Sequence, residues 1–158
     1  MIEIRTARME DYEAICQLVR QVDAIHVEKY PEYFRLPDGH TRERAHIQLW
    51  IERQDRDILL ALDESGLVGV LMVILEKEIP MSIVVENQRY AVVDNLVVEE
   101  QNRGRGIGKL LIEASHLWGK ERGAMEMRLQ VYAKNVQAQG FYKALGFEPL
   151  THQLRKKV

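Results

Sequence analysis

Cysteine is almost absent from this sequence. With Cys16 as its one thiol, neither an intrachain disulfide nor a cysteine-cluster metal site can form, and no metal is expected. Cys16 falls beside the apolar positions of a helical segment, which marks it as packing rather than as a nucleophile. Long hydrophobic runs are missing too. The longest, Leu67 to Leu75, is far short of the roughly 20 residues a membrane-spanning helix needs, so no membrane partner is expected. The start Met1-Ile2-Glu3 lacks signal-peptide character, and cytoplasm is the expected compartment. Nor is there an excess of one charge, since 22 Lys and Arg against 24 Asp and Glu leave a net charge of −2. A general nucleic-acid binder carries a basic balance, so no nucleic acid is expected as partner. What is present, 46% hydrophobic and 29% charged residues over 158 positions, describes one domain with room for a sizeable core.

Hydrophobic periodicity orders that domain. Ile2 to Arg5 alternates like a strand, and Glu10 to about Tyr30 carries Ile15, Leu18, Val19, Val22 and Ile25 at helical spacing. Pro31 and Pro37-Asp38-Gly39 interrupt it, and Thr41 to Gln54 reads as a second helix. The segment Tyr30 to Phe34 fits both a lid and a packed corner. Asp57 to Leu62 and Leu67 to Leu75 form a hairpin around Asp63-Glu64-Ser65-Gly66. Glu76 to Arg89 is compatible with a strand extension and with an irregular loop. Tyr90 to Val98 is a strand, Gly106 to Gly123 a helix, Met125 to Val131 a strand of two unlike faces, and Asn135 to Leu145 a short helix closed by Gly146. Phe147 to Lys157 is expected to supply the last strand or strands.

The chemistry lies in Gln101-Asn102-Arg103-Gly104-Arg105-Gly106-Ile107-Gly108. A glycine-rich turn that opens a helix gathers unpaired N–H groups at a positive dipole end, a ready site for phosphate or pyrophosphate. A P-loop would need glycine where Arg103 stands and Ser or Thr where Leu110 stands. The dinucleotide fingerprint would need glycine in place of Lys109. The spacing that does fit is Arg-x-x-Gly-x-Gly, from Arg103 through Gly106 to Gly108. An Arg-Gly segment that touches RNA is the bland alternative, and it lacks an aromatic platform.

This loop resembles the acyl-CoA pyrophosphate loop of the GNAT N-acetyltransferase superfamily. A second block is similar to the family's Asn-x-x-Ala-x-x-Phe-Tyr-x-x-x-Gly-Phe pattern, at Asn135, Ala138, Phe141, Tyr142, Gly146 and Phe147. The resemblance implies a single N-acetyltransferase domain over residues 1–158, an α/β (α+β) fold with a mixed, mostly antiparallel central sheet flanked by helices, and acetyl-CoA as cofactor. It assigns the pyrophosphate to Arg103, Gly104, Arg105, Gly106, Ile107, Gly108 and Lys109. The main chain of Leu96, Val97 and Val98, together with Asn135, would hold the pantetheine arm in a gap between splayed strands.

Acetyl transfer to an amine needs a deprotonated amine, a stabilised oxyanion and a proton for the departing thiolate. Tyr142 is the candidate acid, because a phenol with pKa near 10 keeps its proton at cellular pH. Phe141 is expected to pack its helix onto the core. Asp94 is the candidate base, on the expectation that strand alternation puts Val92, Asp94, Leu96 and Val98 on one face toward the cleft. The glutamate of the protein-lysine acetylating branch aligns nearer Val92, so Asp94 is equally readable as a contact for the acceptor's ammonium or as structural, with Glu99 a weaker alternative. His26, His40 and His46 flank the region where relatives shape the acceptor site. The partner implied is a small-molecule or peptide amine, and Glu76, Glu78 and Glu86 lean toward cationic amines. A homodimer is left open, as is a CoA-binding module without acyl transfer.

Overall fold

The structure is a computed structural model that describes residues 1–77 and 89–157. Within these residues five strands, β1 (Glu3–Thr6), β2 (Arg56–Asp63), β3 (Gly66–Lys77), β4 (Arg89–Val98) and β5 (Glu126–Leu129), lie in the order β1-β2-β3-β4-β5. The first three pairings are antiparallel and β4 pairs β5 in parallel. The sheet is therefore mixed and mostly antiparallel, as expected. Among the described residues, four helices flank it: α1 (Tyr12–Lys29), α2 (Arg44–Glu52), α3 (Ile107–Glu121) and α4 (Val136–Ala144). Among the described residues, no helix is long and apolar enough to cross a membrane.

Both faces of the sheet are covered, which is why β2 and β3 read as continuous aliphatic runs rather than as alternating ones. On one face Ile15, Leu18 and Val19 of α1 and Ile47 and Trp50 of α2 pack on Ile58, Leu60, Val70, Met72 and Val97. On the other, Ile107, Leu111 and Trp118 of α3 pack on Leu59, Ala61, Leu71, Val73, Ala91 and Val93. Burying a leucine or isoleucine side chain is worth about 1.5–3 kcal/mol. The exposed Lys109–Glu113 pair on α3, at 3.7 Å, contributes about 0.3–0.5 kcal/mol. Burial, not surface charge, fixes where α3 begins, and with it the glycine loop.

Three expectations are corrected. The second helix spans Arg44–Glu52 rather than Thr41 to Gln54, and the strand expected to reach Val131 ends at Leu129. Phe147 to Lys157 forms no strand. Pro149 removes a ladder donor there, and Arg155 is drawn to the α1–α2 connection, where it meets Glu32 at 3.3 Å and the Tyr33 hydroxyl. Within Glu76 to Arg89, the ends belong to β3 and β4, and positions 78–88 lie outside the described residues.

Gly140 sits mid-helix in α4, and a Cβ built on it meets nothing within 4 Å. Gly140→Ala should therefore stabilise the protein by about 0.8–1 kcal/mol through helix propensity alone. A thermal melt should show Tm rising by about 2–4 °C. A fall would mean that α4 is not helical at this point.

Candidate active site

The site is built where β4 parts from β5. Their pairing runs from Tyr90↔Glu126 to Val93↔Leu129 and stops, while β4 continues to Val98 beside β3 alone. Asp94 marks the break. Opposite β3 the register jumps from Met72↔Asn95 to Val73↔Val93, which leaves Asp94 as the extra residue of a β-bulge. The expected face made of Val92, Asp94, Leu96 and Val98 is therefore corrected. Val92 pairs with Ile74, on the α1 and α2 side, whereas Leu96 and Val98 pack on the α3 side with Ala91 and Val93. Asp94 itself is exposed.

Beyond Val98 the chain makes a 3-10 turn at Glu100–Asn102 and enters the glycine loop. Gly104 and Gly106 have φ of 79° and 80°, a left-handed conformation that costs other residues about 1–2 kcal/mol. They turn the chain so that α3 starts at Ile107, and the first i to i−4 bond is Leu110 N–H to Gly106 O at 3.1 Å. The N–H groups of Ile107, Gly108 and Lys109 thus have no acceptor within the helix and gather at its positive end. Gly108 is favoured for a different reason. A Cβ there would stand 3.1 Å from Phe141 Cζ, the ring by which α4 packs against α3.

Side chains brace the loop. Arg105 donates to Asp63 Oδ2 at 3.3 Å and to Asn102 Oδ1, tying the loop to the β2–β3 turn. The Ser65 hydroxyl and N–H, then Arg105, hold the Asp63 carboxyl below its usual range. Arg105 is thus engaged through one nitrogen of its guanidinium, while the side chain stays more than half exposed. Glu99 accepts from Asn102 Nδ2, which makes it a brace of the same turn. Arg103 donates from Nε to Val98 O at 3.3 Å, so its charge rests at the end of the parted strand.

A cavity of about 450 Å³ opens beside these elements, lined by Glu100, Arg103, Asn135 and Gln137 and by Gln21, Ala24, Ile25, Glu28 and Lys29 of α1. Asn135 caps α4, its Oδ1 accepting from Ala138 N–H at 3.3 Å, which leaves its NH2 for other partners. Lys134 ties the same loop to the end of α1, with N–H to Tyr30 Oη at 2.9 Å and Nζ to Lys29 O at 2.8 Å. The segment Tyr30 to Phe34 is a packed corner, since the Tyr30 and Phe34 rings lie 5.0 and 5.5 Å from that of Tyr132.

Tyr142 is half-buried between Phe141 and Phe147, with ring centroids at 5.2 and 5.6 Å. Its hydroxyl makes no hydrogen bond among the described residues, and burial pushes the phenol up to about 12. The histidines divide. His40 pairs with Glu13 at 3.0 Å and His46 accepts from Trp50 Nε1 at 3.1 Å, both away from the cavity. His26 packs on Tyr132 at 5.4 Å, and burial lowers its pKa. Cys16 is buried against Arg42 O, and burial pushes its thiol up.

The motif reading missed the α1 wall and Asp63. Gln21 had a sequence signal, a polar residue set between Leu18 and Ile25 in the apolar stripe of α1. Asp63 had none beyond a turn composition, because its partner is 42 positions away.

Fold and site together define an α/β protein in which β4 parts from β5 and leads into a glycine loop where the first N–H groups of α3 have no acceptor within the helix. The chain belongs to the GNAT acetyltransferase family, whose model matches residues 20–147. It is 39% identical over 69 residues to the uncharacterized N-acetyltransferase YobR of Bacillus subtilis, covering 43% of this chain and 28% of that one. The match thus spans little more than a quarter of that relative's length. A solved tetramutant of the BH1408 protein from Bacillus halodurans superposes with a TM-score of 0.92 at 26% identity, over 99% of both chains. The aminoglycoside N-acetyltransferase AAC(6')-Iy in complex with CoA shares the fold, with a TM-score of 0.72 at 19% identity over 99% of this chain and all of that one.

Proposed function

We propose that this protein is an acetyl-CoA-dependent N-acetyltransferase that acetylates a primary amine of a small molecule or peptide by direct attack in a ternary complex. The observation that carries the reading is the parting of β4 and β5 at Asp94 immediately before a loop of free amides. That arrangement fits CoA at both ends. The amides of Ile107, Gly108 and Lys109 suit a diphosphate, and the unpaired β5 side of Leu96 to Val98 suits an arm that carries amides.

Acetyl-CoA, when bound, supplies an acyl group activated as a thioester. The chain supplies the rest. Arg103 adds positive charge where β4 meets the loop, and the Asn135 NH2 is left to donate into the cavity. In this reading a main-chain N–H at the parted edge polarises the thioester carbonyl, as an oxyanion hole does. Tyr142 holds a proton on Oη for a departing sulfur, and Asp94, exposed at the bulge, draws the acceptor's ammonium or takes its proton. Family membership and the CoA-bound neighbour support this cofactor.

The test is release of free thiol from acetyl-CoA in the presence of a panel of primary amines. Amine-dependent thiol is expected with at least one acceptor class. CoA binding without thiol release across a broad panel would instead establish a non-catalytic CoA-binding module.

A further inference from the structure

One polar atom on the α1 wall is left without a purpose in the folded chain. Gln21 lines the cavity together with Arg103 and Asn135, and its Oε1 is buried with no hydrogen-bond partner among the described residues. A carbonyl shut away from water without a donor is unfavourable, and an apolar side chain of similar shape at that point would not be. Leu18 and Ile25, its neighbours along the helix face, are apolar. As placed, the buried carbonyl is unfavourable to the free protein, and a turn of the side chain that brings it to a donor in the cavity recovers that loss.

We propose that Gln21 is a cofactor-binding residue, its side-chain amide pairing with a secondary amide of the pantetheine arm. The inference rests on the CoA reading given above and adds α1 to the elements that grip the arm. Complementarity selects this partner. A side-chain amide carries both a donor and an acceptor, as does each amide of the arm, and rotation about the soft terminal torsion lets the pair form in either sense. A phosphate fits poorly, because it would be drawn to the cations of the same cavity, Lys29 and Arg103. An ammonium fits poorly as well. It has no acceptor for the glutamine NH2, and the Glu28 carboxylate in the same wall is its stronger partner.

Calorimetry on Gln21→Met tests this, with CoA and with ADP, which carries a diphosphate and no arm. CoA affinity should fall by about fivefold to tenfold, as for loss of one hydrogen bond, with ADP affinity unchanged. A thermal melt of the ligand-free variant should show Tm unchanged or raised, which a merely structural glutamine would not give. Gln21→Glu keeps the shape and an acceptor and removes the donor, so it should bind CoA more weakly than the native protein. Native affinity for CoA in both variants would overturn the proposal. So would a change confined to the KM of the amine, which would place Gln21 against the acceptor. Failure of the native protein to bind CoA would overturn the CoA reading itself, a result seen before any variant is made.

Discussion

Replacing Tyr142 with Phe should lower kcat by about 10²- to 10⁴-fold, the usual contribution of a positioned general acid, while CoA affinity changes by less than about twofold. The split is expected because the substitution removes one oxygen and leaves the ring between Phe141 and Phe147 in place. Burial gives the same residue a signature in pH. With the phenol pushed up to about 12, Tyr142 keeps its proton well above the ordinary tyrosine value near 10. Its ionisation therefore produces no loss of kcat near pH 10. Stability behaves differently. Between about 10 and 12 the unfolded chain has released this proton and the folded one has not, so stability falls as pH rises through that window. In Tyr142→Phe that portion of the alkaline loss should vanish. A variant that turns over at the native rate would remove Tyr142 from the chemistry.

The parts of this protein legible in the sequence are those written in local pattern. Periodicity placed the long helix α1 and the hairpin β2–β3, and glycine spacing placed the loop that opens α3. The Asn135 block placed α4, whose first residues are fixed by the asparagine cap. What escaped depends on contacts between distant positions. A β-bulge adds one residue to a strand without changing its composition, so alternation carried through Asp94 predicts the wrong partners for Val92, Leu96 and Val98. The pairing with β5 ends at the same point of β4, with Val93↔Leu129 as its last pair. The final segment shows the converse error. Phe147 to Lys157 has strand-like stretches, but Pro149 and the contacts of Arg155 with Glu32 and Tyr33 draw it elsewhere. Gln21 and Asp63 belong to the site through tertiary placement, and no spacing between them and Arg103 or Arg105 could announce it.

Gly106→Ala should weaken CoA binding by about tenfold to a hundredfold, since hydrogen bonds to a charged group contribute about 1.5–3 kcal/mol each and the loop's aim is set at this residue. The reasoning separates two costs. A Cβ on Gly106 meets nothing within 4 Å, so no clash unfolds the protein. The penalty lies in φ of 80°, a conformation that costs alanine about 1–2 kcal/mol and that the chain can relieve by shifting the loop. Relief turns the N–H groups of Ile107, Gly108 and Lys109 away from a common point, and a diphosphate needs them converged. The loss should therefore follow the phosphates. ADP and CoA should weaken together, whereas turnover of S-acetylpantetheine, which has the arm and thioester but no diphosphate, should stay near the native rate. Opposite behaviour, with S-acetylpantetheine turnover lost and ADP binding intact, would mean that the loop orders the catalytic gap rather than gripping the anion. The amides of α3 would then no longer explain why an anionic cofactor is chosen.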